Sequence, residues 1–547
     1  MLSARTWLSQ CFAAHTKCKA SRSSRDTSFL PTRLIEIGQP EPHKVYLRLS
    51  SDRLDASLGY ATLSHCWGKA KTLKLTSTSI HNLRTGIAIS ELGQTFQDAI
   101  FTARSLDIRL LWIDSLCIFQ DSEVDWQQES ARMCQVYSNS VLNIAASIAA
   151  DTEAGCFPER PSHSLDSCFV QTDWENHENG SYHLLQTSLW DDTMTSMPLA
   201  GRAWVVQETL LASRVLYLCG SQMFWQCYDF RACEQFPNGL PSASLVNRNM
   251  FAMLERFEYR RSKYSGFRSL STDLLCEAFG NFSELIPMER RTRGSKYDLW
   301  QLWRSIINIY TDCDLTYPSD KLVALSGIAK IMEQVLDDEY CAGLWKSRIA
   351  TELGWRPLQP LSQNESDTYR APSWSWACRD GAIEPGYAQK DMISLIDVIQ
   401  CEVQTATSDR TGAVTGCTLR LSCWLATINF EWSGNDYPFP PTRNFNGKAL
   451  ERYMGPRNID EPRRFSKLHL LPLTIDPDLF QSFRMRFVYL VPAGTTTGQF
   501  RRVGYGCFRT PGDLGLSHWK EIAHVKNEDW FEYEEACGDG KYIISII

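Results

Sequence analysis

Between residues 60 and 150 the hydrophobic pattern alternates between continuous apolar runs and helical stripes. YATLSHCWG (60–68) reads as a buried strand closed by a tight turn at Gly68. TFQDAIFTARSLDI (95–108) carries Phe96, Ala99, Ile100, Ala103 and Leu106 at helical spacing, with Thr95 and Asp98 placed as a capping box. RLLWIDSLCI (109–118) has the near-continuous apolar character of an interior parallel strand. A second amphipathic helix follows over 125–140, with Trp126, Met133 and Tyr137 on one stripe, then a buried strand at VLNIAAS (141–147). Strand, helix, strand, helix, strand is the order of an open α/β sheet.

The flanks differ. Residues 1–20 read as one short helix, with Trp7, Cys11, Ala14 and Cys18 at helical spacing, and TRLIEIG with KVYLRL as a strand pair. RAWVVQETLL (202–211) predicts a short helix, and RVLYLC and QMFWQC a hairpin turning at Gly220-Ser221. Residues 240–350 are mainly helical in pattern, most clearly at DLWQLWRSIINIYTDC, and β signals dominate from 370 onward. The expected fold is therefore a multidomain α+β chain. It divides into an N-terminal helix and strand pair (1–59), an α/β core (60–230), a mainly helical region (231–370) and a β-rich C-terminal region (371–547).

Composition narrows the function classes. The chain has 547 residues, enough for several domains, with 43% hydrophobic and 22% charged residues. A net charge of −7, without a basic tract interleaved with aromatics, disfavours nucleic-acid binding. No apolar stretch is long enough for a membrane span. Nineteen cysteines without a repeated spacing fit reduced thiols, so cytoplasm is expected, with the nucleus as the other compartment. The basic segment before Asp26 also has the composition of a mitochondrial transit peptide. Eighteen tryptophans imply large, filled cores, and the PSWSW segment (372–376) reads as extended core packing.

Three blocks carry a family resemblance: YATLSHCWG, then LLWIDSLCIFQDSEVDWQQESARMCQVYSNSVLNIAAS, then GRAWVVQETLLASRVLYLCGSQMFWQC. In order and spacing they resemble the fungal heterokaryon incompatibility (HET) domain, with the core near 60–210. Phe119 departs from the small polar or aliphatic residue frequent in the family. The resemblance implies a filamentous fungus and an effector of non-self recognition that triggers growth arrest or programmed cell death. It also implies a protein partner or incompatibility factor as trigger, with self-association as one mode of action. A HET-derived regulatory protein without toxicity is a further reading. No GxxxxGK[ST] motif occurs, so no nucleotide-driven switch is expected.

The same resemblance implies a distant likeness to Toll/interleukin-receptor (TIR) domains, some of which cleave NAD. On that reading Glu208 is the catalytic carboxylate, stabilising an oxocarbenium-like state. Trp204 lies one helical turn before it. Ser64, His65 and Trp67 after the first strand, and Asp114 after the second, would line the pocket, with Arg202 as a phosphate ligand. An NAD glycohydrolase is thus the enzymatic alternative. NAD enters only as substrate, and no cofactor is expected. The bland alternative makes Arg202 and Glu208 a structural ion pair and Asp114 a loop cap. Cys11, His15 and Cys18 suggest zinc ligands on one helix face, but no fourth ligand is evident, so no metal is expected.

Overall fold

A computed structural model describes residues 1–23, 29–38, 41, 43–52, 54–69, 72–160, 165, 168–172, 180–184, 189–240, 296–358, 368–387, 392–429, 467–478, 482–494, 496–511, 533–538 and 540–547. The chain forms two compact units, Met1–Arg293 and Gly294–Ile547. It combines helices with several sheets, an α+β architecture. No helix among the described residues is long and apolar enough to cross a membrane.

The strands of the first unit are β1 (Arg33–Glu36), β2 (Lys44–Leu49), β3 (Ala61–Ser64), β4 (Ile87–Ala88), β5 (Leu110–Trp112), β6 (Leu142–Ala145), β7 (Cys168–Thr172), β8 (Gly180–Leu184), β9 (Arg214–Leu218), β10 (Met223–Cys227) and β11 (Arg231–Cys233). All but β7 and β8, which pair with each other, join one sheet in the order β11-β10-β9-β6-β3-β5-β1-β2-β4. The central strands β9, β6, β3 and β5 run parallel, and the flanking ones are antiparallel. The helices are α1 (Leu2–Ala13), α2 (Thr16–Ser23), α3 (Ile80–Thr85), α4 (Gln94–Ser105), α5 (Asp114–Cys117), α6 (Glu123–Asn139), α7 (Leu189–Ser196) and α8 (Ala203–Leu211).

The open sheet and most elements of the core follow the sequence pattern, and the α4 stripe Phe96, Ala99, Ile100, Ala103 and Leu106 is wholly buried. Three local expectations are corrected. Helix α4 begins one residue earlier, so Thr95 lies inside its first turn. There its hydroxyl bonds the Asp151 carbonyl, while Asp98 accepts from the Cys156 N–H. The 109–118 run is not one strand: β5 ends at Trp112 and Asp114 opens the one-turn helix α5. The N-terminal helix is broken at Ala14, whose N–H still bonds Gln10, giving α1 and α2.

Phe119 has a structural place. The Arg33 guanidinium stacks 4.7 Å from its ring centroid, donates to the Cys117 carbonyl at 2.7 Å and pairs with Asp125. This ties β1 to the β5–α6 connection.

In the second unit, α9 (Lys296–Thr311) and α10 (Ser326–Leu336) accompany a largely antiparallel sheet. Its main strands are Asp397–Thr405, Val414–Cys423, Lys467–Asp478, Ser482–Pro492, Gln499–Pro511 and Tyr542–Ile546. The β-rich C-terminal region is thus present, while most of the helical pattern expected over 240–295 lies outside the described residues. Trp303, Trp345, Trp355, Trp374 and Trp376 fill this unit's core. The PSWSW segment packs as expected, but as a turn leading into a 3-10 helix rather than extended, with the Trp376 indole donating to the Gly343 carbonyl at 2.8 Å.

Candidate functional site

Strand β3 leaves the sheet centre with Thr62 and Ser64 on one face, because alternate residues point the same way. Asn143 on the neighbouring β6 meets both. Its amide donates to the Ser64 hydroxyl at 3.0 Å, and its carbonyl accepts from Thr62 at 3.1 Å. Helices α6 and α8 pack together on this face and bring Tyr137 and Glu208 onto Ser64. His65 points the other way, its ring edge-on to Phe96 of α4 at 5.0 Å. Helix α4, following β3, and α8, following β6, therefore lie on opposite faces. In open α/β sheets ligands bind beyond the carboxyl ends of strands at such a divergence, but here Ser64 and Asn143 are both buried within the sheet.

Glu208 is 6% exposed, and burial pushes its carboxyl up to about 7. The charge of Asp114 pushes the same way. The Ser64 and Tyr137 hydroxyls oppose it by hydrogen bonding, as does the Arg202 charge. Oε2 of Glu208 has no hydrogen-bond partner among the described residues. Arg202 does not form the ion pair considered from sequence: its Nη1 donates instead to the His65 carbonyl at 2.6 Å. A buried carboxyl titrating near neutrality can hold or release a proton, but here it does so away from solvent.

The remaining candidates form a second cluster. The Trp67 indole donates to Asp114 Oδ2 at 2.8 Å, and Asp114 Oδ1 caps the Ser115 N–H at 2.6 Å. His65 Nδ1 lies 3.7 Å from Asp114 Oδ1, too far for a hydrogen bond, and burial pushes the imidazole down to about 4. It is therefore neutral at physiological pH. Lys74 sits 4.8 Å from the Trp67 ring centroid. Trp204 is half-buried, one turn from the buried Glu208.

So the structure brings Ser64 to Glu208, bonds Trp67 to Asp114 with His65 nearby, and bonds Arg202 to the His65 backbone. Ser64 and His65 do not line one pocket, since they face opposite sides of the sheet. The sequence reading missed Tyr137 and Asn143 as site residues. Asn143 left a signal, a polar side chain inside an apolar strand run.

A cavity of about 50 Å³ lies behind α7 and α8, lined by Trp190, Met194, Val205, Val206, Tyr217 and Gln226 among others, and Glu208 is not part of its wall. A ligand the size of a dinucleotide needs several hundred Å³.

At the N-terminus, the expectation that Cys11, His15 and Cys18 lack a fourth partner is overturned. Cys227, at the end of β10, brings its thiol to the trio.

An open α/β sheet with polar groups gathered at the carboxyl ends of its parallel strands defines the class of this core. Residues 60–208 match the heterokaryon incompatibility protein (HET) family model, so the chain carries a HET domain over that segment. No curated protein and no solved structure matches it.

Proposed function

We propose that this chain is a cytoplasmic effector of non-self recognition in a filamentous fungus, driving growth arrest and cell death through protein association. The family match supplies the biological setting. The burial of Glu208 carries the choice of mode. A carboxylate that stabilises an oxocarbenium must be ionised and in reach of substrate. This one is 6% exposed and about half protonated near pH 7.

A second reading, TIR-like cleavage of NAD, is favoured by one observation: the buried Glu208 Oε2 has no partner among the described residues. It requires α8 to move and expose the carboxyl. The first test is inducible expression of the full chain in a fungal host. Growth arrest at moderate protein levels is expected. Unimpaired growth with abundant folded protein would contradict the effector reading.

A further inference from the structure

Three buried thiols and an imidazole converge where the N-terminal helices meet the sheet. Cys11 lies on α1, His15 in the break between helices, Cys18 on α2, and Cys227 at the end of β10. Cys11 is 0%, Cys18 1% and Cys227 4% exposed. Their donor atoms all lie within 4.8 Å of one another, with His15 Nδ1 at 3.2 Å from Cys227 Sγ. A tetrahedral zinc ion with bonds of ~2.3 Å spaces its sulfurs by about 3.8 Å, so small side-chain adjustments close the set.

We propose that Cys11, His15, Cys18 and Cys227 form a structural zinc site that fastens the N-terminal helix pair to the β9–β10 hairpin. The donor chemistry selects the metal, since thiolates with one imidazole in a tetrahedral set favour zinc. Four protein ligands leave no open position, which makes the site structural rather than catalytic.

Surrounding contacts fit an occupied site. Zinc with three thiolates and a neutral imidazole carries one net negative charge. The buried Arg214 guanidinium offsets it, with Nε donating to Cys11 Sγ at 3.0 Å. Asp229, two residues past Cys227, accepts from the backbone N–H groups of Lys17 and Cys18 at 2.9 and 3.2 Å, fixing the start of α2 against the hairpin. The break at Ala14 also gains a reason: it turns His15 and Cys18 towards Cys11.

The test is metal analysis of the full chain, purified under reducing conditions from cells supplied with Zn²⁺. About one zinc per chain is expected, and Co²⁺ exchanged into the site should give the absorption bands of tetrahedral thiolate ligation. Cys227→Ser should lose the metal, His15→Cys should keep it, and Cys134→Ser on α6 should match the wild type. If Cys227→Ser fails to fold, the wild type still decides: a zinc chelator should lower its melting temperature and expose three additional reactive thiols. A metal-free wild type, a disulfide between two of the three cysteines, or undiminished zinc in folded Cys227→Ser would overturn the proposal.

Discussion

The indole N–H of Trp67 meets the carboxylate of Asp114 at 2.8 Å, joining the segment after β3 to the start of α5 after β5. Two adjacent parallel strands are thereby stapled just beyond their carboxyl ends. Asp114 in turn projects its charge onto Glu208. Removing that charge with Asp114→Asn should lower the Glu208 pKa. Difference infrared spectroscopy can follow the protonated carboxyl band that Glu208→Gln abolishes. A band titrating at unchanged pH in Asp114→Asn would contradict the coupling.

Glu208 also makes stability depend on pH. It titrates near 7 in the fold against an ordinary 4.5. Between these values the folded chain holds a proton that the unfolded chain has released. Its contribution is fully present below the unfolded value and is lost as pH rises through 7, at about 1.4 kcal/mol per pH unit. His65, pushed down from 6.5 to about 4, acts in the opposite sense, losing stability as pH falls below 6.5. Melting temperatures of wild type and Glu208→Gln should therefore shift in the variant's favour as pH is raised from about 4.5 to 7, and level off above that. A pH-independent difference would contradict the raised pKa.

Arg33 and Asp125 form a pair with side chains only 8% and 15% exposed, whereas Arg84 and Asp52 pair at 42% and 27%. Arg33→Ala strands a part-buried carboxylate and should cost about 3–5 kcal/mol. Arg84→Ala should cost at most ~1 kcal/mol. Denaturant unfolding of the two variants checks the contrast, and equal losses would contradict it.

Gly68 has φ of +61°, and an added Cβ would fall 2.1 Å from that of Asp151. Gly68→Ala should lose more than the ~1–2 kcal/mol of left-handed strain alone, because the loop after β3 must also shift. A melting temperature equal to the wild type's would show that the loop yields freely.

Much of the core was legible because its cues are local. The stripe on α4, the apolar run of β3 and the Gly220-Ser221 hairpin each follow from neighbouring residues. Less legible was the end of β5, where Ile113 continues the apolar pattern but Asp114 starts a helix. The site itself depends on distant residues. Tyr137 reaches Glu208 only because α6 and α8 pack on one face, and Cys227 completes the N-terminal trio from far along the chain. Neither convergence has a spacing that could be read from the sequence.

The most direct test of the account is the NAD level of fungal cells expressing the full chain, wild type beside Glu208→Gln at equal abundance. The account predicts growth arrest with NAD unchanged and the variant as toxic as the wild type. NAD collapse in wild-type cells, abolished by Glu208→Gln, would contradict it and make Glu208 the catalytic carboxylate of a hydrolase.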